Sequence, residues 1–300
     1  RGRLAYERAR LTGADPLKEG LIAQGLDYAN QALQRDARDP DALELRGTLR
    51  YWRYLLGLER DDVVQRQLVA DAKADLLAAV KQSPNQAEAL RLLAHLYARV
   101  ENDDVNAKEY AERAYAADAY LRSVDEILGR LFFTSYDLER FADARHWCDE
   151  GVRRFPREPI ILECRLWLMT MKAGRPDPAH ARALADTLVA LAPPARQSFQ
   201  RLYERMVVAA VLARAGQPDS ARRLARASRG DAEVDPTRDL LLTDAFVHTL
   251  VGDTTEALRS LRLYLAANPD RRAAMADDPG WWFRPISNDP RFRRLVDAQP

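Results

Sequence analysis

The segment Gly252–Pro269, GDTTEALRSLRLYLAANP, has a cousin in FADARHWCDEGVRRFP at 141–156, and this recurrence constrains the fold more than any other feature. Thr254 aligns with Phe141, Ala257 with Ala144, Leu261 with Cys148, Tyr264 with Gly151 and Pro269 with Pro156. A small residue, an apolar position four later, another three later and a closing proline describe one helix face followed by a stop. The same punctuation recurs at Pro40, Pro84, Asp118-Ala119, Pro156, Pro193, Pro236 and Pro269. Its period is roughly 34 residues, one helix-turn-helix per unit, and the longer gaps read as loop or helix extensions.

The pattern places helical pairs at about 40–57 and 61–82, 86–101 and 104–118, 121–137 and 140–155, 158–173 and 177–191, 195–215 and 218–229, 236–251 and 254–267. An irregular opening pair at 3–11 and 16–36 precedes them, broken by Gly13-Ala-Asp-Pro16. Gly57, Gly174, Gly216 and Gly252 end first helices as C-terminal glycines. The acid pairs Asp61-Asp62, Asp103-Asp104 and Asp277-Asp278 fall at helix starts or loops, where they favour a helix N-terminus. Nothing in the sequence requires a strand.

This order resembles the tetratricopeptide repeat family over nearly the full chain. Leu90, Leu93, Ala94 and Tyr97 carry the family's first-helix pattern well. Leu128, Gly129 and Phe132 do so with Asp125 departing, and Leu241, Ala245 and His248 with Asp244 departing. The unit at 158–191 fits least, because Leu166 and Trp167 stand where a leucine and a small residue belong. Ala144, Ala221 and Ala257 supply the matching small residue on second helices, which lets paired helices approach closely. The resemblance implies an all-α, right-handed α-solenoid of about six to seven hairpins over residues 1–269, with a capping segment at 270–300.

That last segment, Asp277-Asp-Pro-Gly280 followed by WWFRPISNDPRFRRLV, reads as a lid for the exposed face of the final repeat. Trp281, Trp282, Phe283, Phe292 and Leu295 supply apolar area; a partner hot spot built on tryptophan is the alternative. Gly252, Asp253, Glu256, Ala257, Leu258, Trp282, Pro285, Asp289, Pro290, Arg291 and Phe292 together resemble the C-terminal repeat region of bacterial signalling proteins. In those, such repeats follow a serine/threonine kinase, an adenylate cyclase or a winged-helix domain. No kinase motif occurs in the 300 residues. The start at Arg1, without methionine or a secretory apolar core, reads as a processed product or a fragment.

Composition narrows function by exclusion. The chain is 47% apolar and 30% charged, with a formal net charge of +1 from interleaved signs. That argues against a nucleic-acid footprint, which needs a basic face or stripe. No apolar run is long enough to span a membrane. The basic residues are nearly all arginine, which reads as coding bias ahead of anion recognition. Cys148 and Cys164 lie on successive helices and are expected as two buried free thiols, since spacing alone cannot establish disulfide geometry. The compartment stays open between the cytoplasm and the space beyond a membrane.

His95, His146, His180 and His248 are widely separated and form no metal-binding constellation; no metal site, cofactor or catalytic residue is expected. An enzyme would need a deep pocket with two facing carboxylates of perturbed pKa. The family resemblance instead implies a groove lined by first helices that takes a protein or peptide partner. Carried onto matching positions, the lining is Glu88, Arg91, His95 and Ala98, then Ser123, Glu126, Arg130 and Phe133. Arg91, His95 and Arg99 share one helix face at i, i+4, i+8 and suit a peptide carboxylate. His95 replaces the asparagine of the family's carboxylate clamp. Tyr51 and Trp52 are expected to add an aromatic wall, with core packing the fate of one. The expected function is a non-catalytic interaction module of a signalling protein, the alternatives being a scaffold or envelope-complex subunit and a helical-repeat enzyme.

Overall fold

The computed structural model describes residues 4–5, 15–118 and 123–297. The proposed opening helix at 3–11, the turn at Ala119 and the start of the helix at 121 lie wholly or partly outside them. Sixteen α-helices and no strand occur among the described residues.

The chain divides into two compact units, Arg1–Leu131 and Phe132–Pro300. In the first unit, α1 (Asp15–Arg35) is followed by α2 (Pro40–Leu55) with α3 (Asp62–Gln82) and α4 (Ala87–Leu96) with α5 (Asp104–Ala117). The boundary falls inside α6 (Val124–Asp137). The second unit continues with α7 (Phe141–Arg154), α8 (Pro159–Leu168) with α9 (Pro178–Leu191), α10 (Gln197–Arg214) with α11 (Pro218–Arg226), and α12 (Asp239–Leu250) with α13 (Thr254–Ala267). It ends in α14 (Arg271–Asp277), α15 (Gly280–Phe283) and α16 (Pro290–Val296).

Within each unit successive helices pack as pairs, and first helices also touch one another: α2 meets α4, and α10 meets both α8 and α12. This is the contact pattern of an all-α solenoid, in which each repeat leans on its neighbours. Local chemistry sets the helix starts. Asp39 caps α2 by accepting from the Asp41 and Ala42 amides, with Pro40 in the first turn. Asp61, Asp103, Asp177 and Asp253 cap α3, α5, α9 and α13 in the same way. Gly57, Gly216 and Gly252 end first helices in the left-handed region. Gly174 does not, because α8 stops at Leu168 and a Cβ at Gly174 would lie 2.5 Å from the Leu168 carbonyl.

Small residues bring the helices together. Ala144, Ala221 and Ala257 are fully buried, and a Cβ on Gly151 would lie 2.5 Å from Ile161 Cδ1. That close approach of α7 and α8 corrects the expectation of two free thiols. Cys148 and Cys164 face each other across the interface with Cα atoms 5.8 Å apart and form a disulfide. The spacing of the residues gave no view of this facing, which only the packed helices supply.

The C-terminal segment has two placements. Its α16 lies on α13 and α14, next to the last hairpin. Its Trp281 and Trp282 instead run back across the first helices. Trp281 Nε1 donates to the Tyr136 carbonyl of α6 at 3.1 Å, and its ring meets Phe141 and Phe246 edge-on. Trp282 stacks between Trp167 of α8 and Phe246 of α12, at centroid distances of 5.4 and 4.2 Å. Arg284 pairs with Glu139, which holds a left-handed backbone between α6 and α7. Trp281, Phe283 and Phe292 are buried.

Candidate functional site

In the first unit, Tyr51 on α2 reaches His95 on α4, the two first helices that pack together. The Tyr51 hydroxyl lies 2.8 Å from His95 Nδ1, and the rings meet edge-on. Burial lowers the His95 pKa to about 3, and the positive charges of Arg130, Arg99 and Arg91 push it the same way. Burial and neighbouring Tyr54 raise the Tyr51 pKa against the pull of the same arginines, so the phenol stays protonated. A neutral imidazole that accepts from the phenol at Nδ1 keeps its hydrogen on Nε2. Tyr51 is fully buried and His95 half-buried, so of the pair only the neutral imidazole can reach solvent, with three guanidinium groups near enough to depress its pKa.

The three arginines are not equivalent. Arg91 Nη2 is 2.6 Å from Glu88 and its Nη1 is 3.0 Å from Glu126, so α4 is tied to α6 by an internal ion pair. Arg130 sits on α6, near enough to depress His95. Arg99 is exposed and makes no ion pair among the described residues. It stands in a π-helical turn, Tyr97–Glu101, that continues α4. Lys73 fixes this turn by pairing with Glu101 at 2.7 Å and lying 4.3 Å over the Tyr97 ring. Asn102 closes it in a left-handed conformation, its amide donating to the Tyr97 carbonyl. Wide turns of this kind re-aim a helix's last side chains.

Ala98 lies in the same turn as Arg99, while Trp52 and Phe133 lie elsewhere. Trp52 is half-buried against Leu21, Ile22 and Leu49, whereas Tyr51 is fully buried, so Tyr51 is the member of the aromatic pair that joins the core. Phe133 belongs to the second unit, edge-on to Phe132.

The second unit holds a cluster that spacing did not reveal. Glu163 on α8 and Glu204 on α10 interact, and burial is the leading cause that raises their pKa values to about 7 and about 8. Gln200 donates to Glu204 at 2.6 Å and the Tyr203 hydroxyl lies 3.4 Å from Glu163. The residue Glu204 is 0% exposed, and its Oε2 has no hydrogen-bond partner. Two neighbouring carboxyls out of water share protons instead of both ionising. The one signal for them was a carboxylate inside the apolar run Pro159-Ile-Ile-Leu-Glu163-Cys-Arg-Leu-Trp-Leu168. Asp244, the departure from the repeat pattern, is buried at 0% exposure, with Arg229 2.8 Å away and Ser260 donating to it. Arg229 continues to Glu256 on α13 at 3.1 Å.

No helix among the described residues is long and apolar enough to cross a membrane. No protein-family model and no curated protein matches the chain. Solved structures do align with it. Yeast Tom70 is similar at 13% identity and a TM-score of 0.43, over 96% of this chain and 64% of that one. The chain thus spans less than two thirds of the Tom70 chain. The C-terminal part of a TPR repeat-containing protein from Cytophaga hutchinsonii is similar at 14% identity and a TM-score of 0.44, covering 92% and 98%. YrrB, described as a TPR protein with an unusual peptide-binding site, is similar at 15% identity and a TM-score of 0.36, covering 84% and 97%.

Proposed function

We propose that the chain is a tetratricopeptide-like interaction module without catalysis of its own, and that its first unit binds a partner through an anionic group. The single observation that carries this reading is the convergence of Arg91, Arg99 and Arg130 on the neutral Tyr51–His95 pair. Three cations held beside neutral hydrogen-bonding groups favour a carboxylate that completes the cluster. Arg91 already serves Glu88 and Glu126, so Arg99, with His95, is the part that meets the ligand. Peptides with a free C-terminal carboxylate and the same peptides amidated test it on an array. Binding is expected only for the free acids, weakened about tenfold or more by Arg99→Ala. Equal recovery of amidated peptides, or of acids by the Arg99→Ala protein, removes the site.

Glu163 and Glu204 are a carboxyl pair with raised pKa values, the feature an enzyme reading requires. Complete burial of Glu204 keeps substrate from its carboxyl, which supports the non-catalytic reading. The Cys148–Cys164 disulfide supports a scaffold or accessory role in an oxidising compartment ahead of a signalling role in a reducing cytosol. Maleimide labelling of protein taken from its native compartment tests this; rapid labelling of both cysteines without reductant argues for the cytosolic context.

A further inference from the structure

The second unit carries another recess, formed where α13, α14 and α16 meet, with a volume of about 570 Å³. Five arginines line it, Arg259, Arg262, Arg272, Arg291 and Arg294, around a floor of Leu258, Ala266 and Leu295. No carboxylate and no aromatic ring is among its lining residues. Arg291 is held by Asp289 at 2.8 Å and reaches Thr255 at 3.3 Å. Arg259 lies 3.4 Å from Glu256, and Arg272 donates to the Leu265 carbonyl. Arg262 and Arg294 are exposed and make no ion pair or hydrogen bond among the described residues.

We infer that this recess binds an acidic peptide segment of a protein partner, with one large apolar side chain on the leucine floor and flanking carboxylates on Arg262 and Arg294. The size suits one such side chain with its neighbouring backbone. The charge explains the class. Of the five guanidinium groups around the apolar floor, Arg262 and Arg294 have no carboxylate of their own among the described residues, and bidentate carboxylates satisfy them. A phosphate-bearing polymer is the less fitting occupant, because single-stranded nucleic acid stacks its bases on aromatic rings and this recess has none. A free small anion would leave the apolar floor uncovered. The inference rests on reading the chain as an interaction module, but it places a second contact at residues separate from Arg99.

Calorimetry on the full chain tests it with a blocked octapeptide of acidic residues around a central Leu-Phe pair. The controls are the same peptide with Gly-Gly at its centre, a lysine-arginine version, and a single-stranded oligouridine. The expected result is binding of the acidic Leu-Phe peptide about tenfold or more tighter than every control. It is abolished in the Arg262→Glu/Arg294→Glu double variant, whose exposed positions leave the helices intact by circular dichroism, and unchanged in Arg99→Ala. Failure to bind, equal binding of the Gly-Gly peptide, tighter binding of oligouridine, or full affinity in the double variant each overturns the inference. Loss of binding in Arg99→Ala also overturns it by placing the peptide in the first unit, whereas the carboxylate array fails or succeeds independently of this recess.

Discussion

The first-helix faces of the two units handle charge in opposite ways. In the first unit the Tyr51–His95 pair is neutral while the charges around it stay ionic, half-buried or exposed. In the second, Glu163 and Glu204 are moved toward neutrality, and the chain's own Trp281 and Trp282 lie across the same row of helices. A hairpin stack builds such a face at every repeat, and side-chain chemistry then decides whether it stays available or is filled from within. The available face suits recognition; the filled one suits cohesion.

The most damaging test of this contrast is Trp281→Ala. Removing a buried tryptophan from an aromatic cluster is expected to cost about 3–5 kcal/mol in the second unit and leave the first unit's exchange protection unchanged. Hydrogen exchange resolved by segment checks this, and equal loss in both units breaks the distinction. Cys164→Ser comes next, at about 3 kcal/mol for a loop of this length, again confined to the second unit by denaturant titration.

Acidification then gives responses of opposite sign. His95 has its folded pKa lowered from 6.5 to about 3, so the folded first unit binds fewer protons than the unfolded chain, and its stability falls as pH drops below 6.5. The loss is at most about 2 kcal/mol at pH 5. Glu163 and Glu204 have folded pKa values raised from 4.5 to about 7 and about 8. Their contribution is fully present below pH 4.5 and lost as pH rises through 7 to 8, so the second unit gains on the order of a few kcal/mol from pH 8 to pH 5. Segment-resolved exchange at pH 5 and 8 measures both, and Glu204→Gln is expected to flatten the second response. Parallel responses would show that the two faces do not differ in this way. The smallest effect is Glu126→Gln, which breaks a pair whose carboxylate is 62% exposed and is expected to cost the first unit under about 0.5 kcal/mol of stability, read from the shift in its thermal midpoint.

The hairpins were legible because their signals are local. Capping aspartates, prolines at first turns and small residues at helix contacts each act within a few positions, and the helix boundaries follow them to within a few residues. The Tyr51–His95–arginine cluster was half legible, since i, i+4, i+8 spacing puts Arg91, His95 and Arg99 on one face. It could not say that Arg91 is taken by Glu88 and Glu126, or that Tyr51 is the aromatic residue buried in the core. The disulfide, the carboxyl pair and the course of the two tryptophans depend on which repeats face each other, and no short window of sequence contains that.

The hydrogen bond from Trp281 to Tyr136 joins residues 145 positions apart. Stacked repeats ordinarily hold only near neighbours and can fray from an end one hairpin at a time. Here the last segment is fastened to the second unit's first helix. A ribosome must release the chain through Trp281 before that contact exists, so the unit's final consolidation is expected to follow that of its hairpins and to be slower than in a plain repeat array. Once closed, the Trp281 segment cannot peel away without breaking a contact to the opposite end of its own unit.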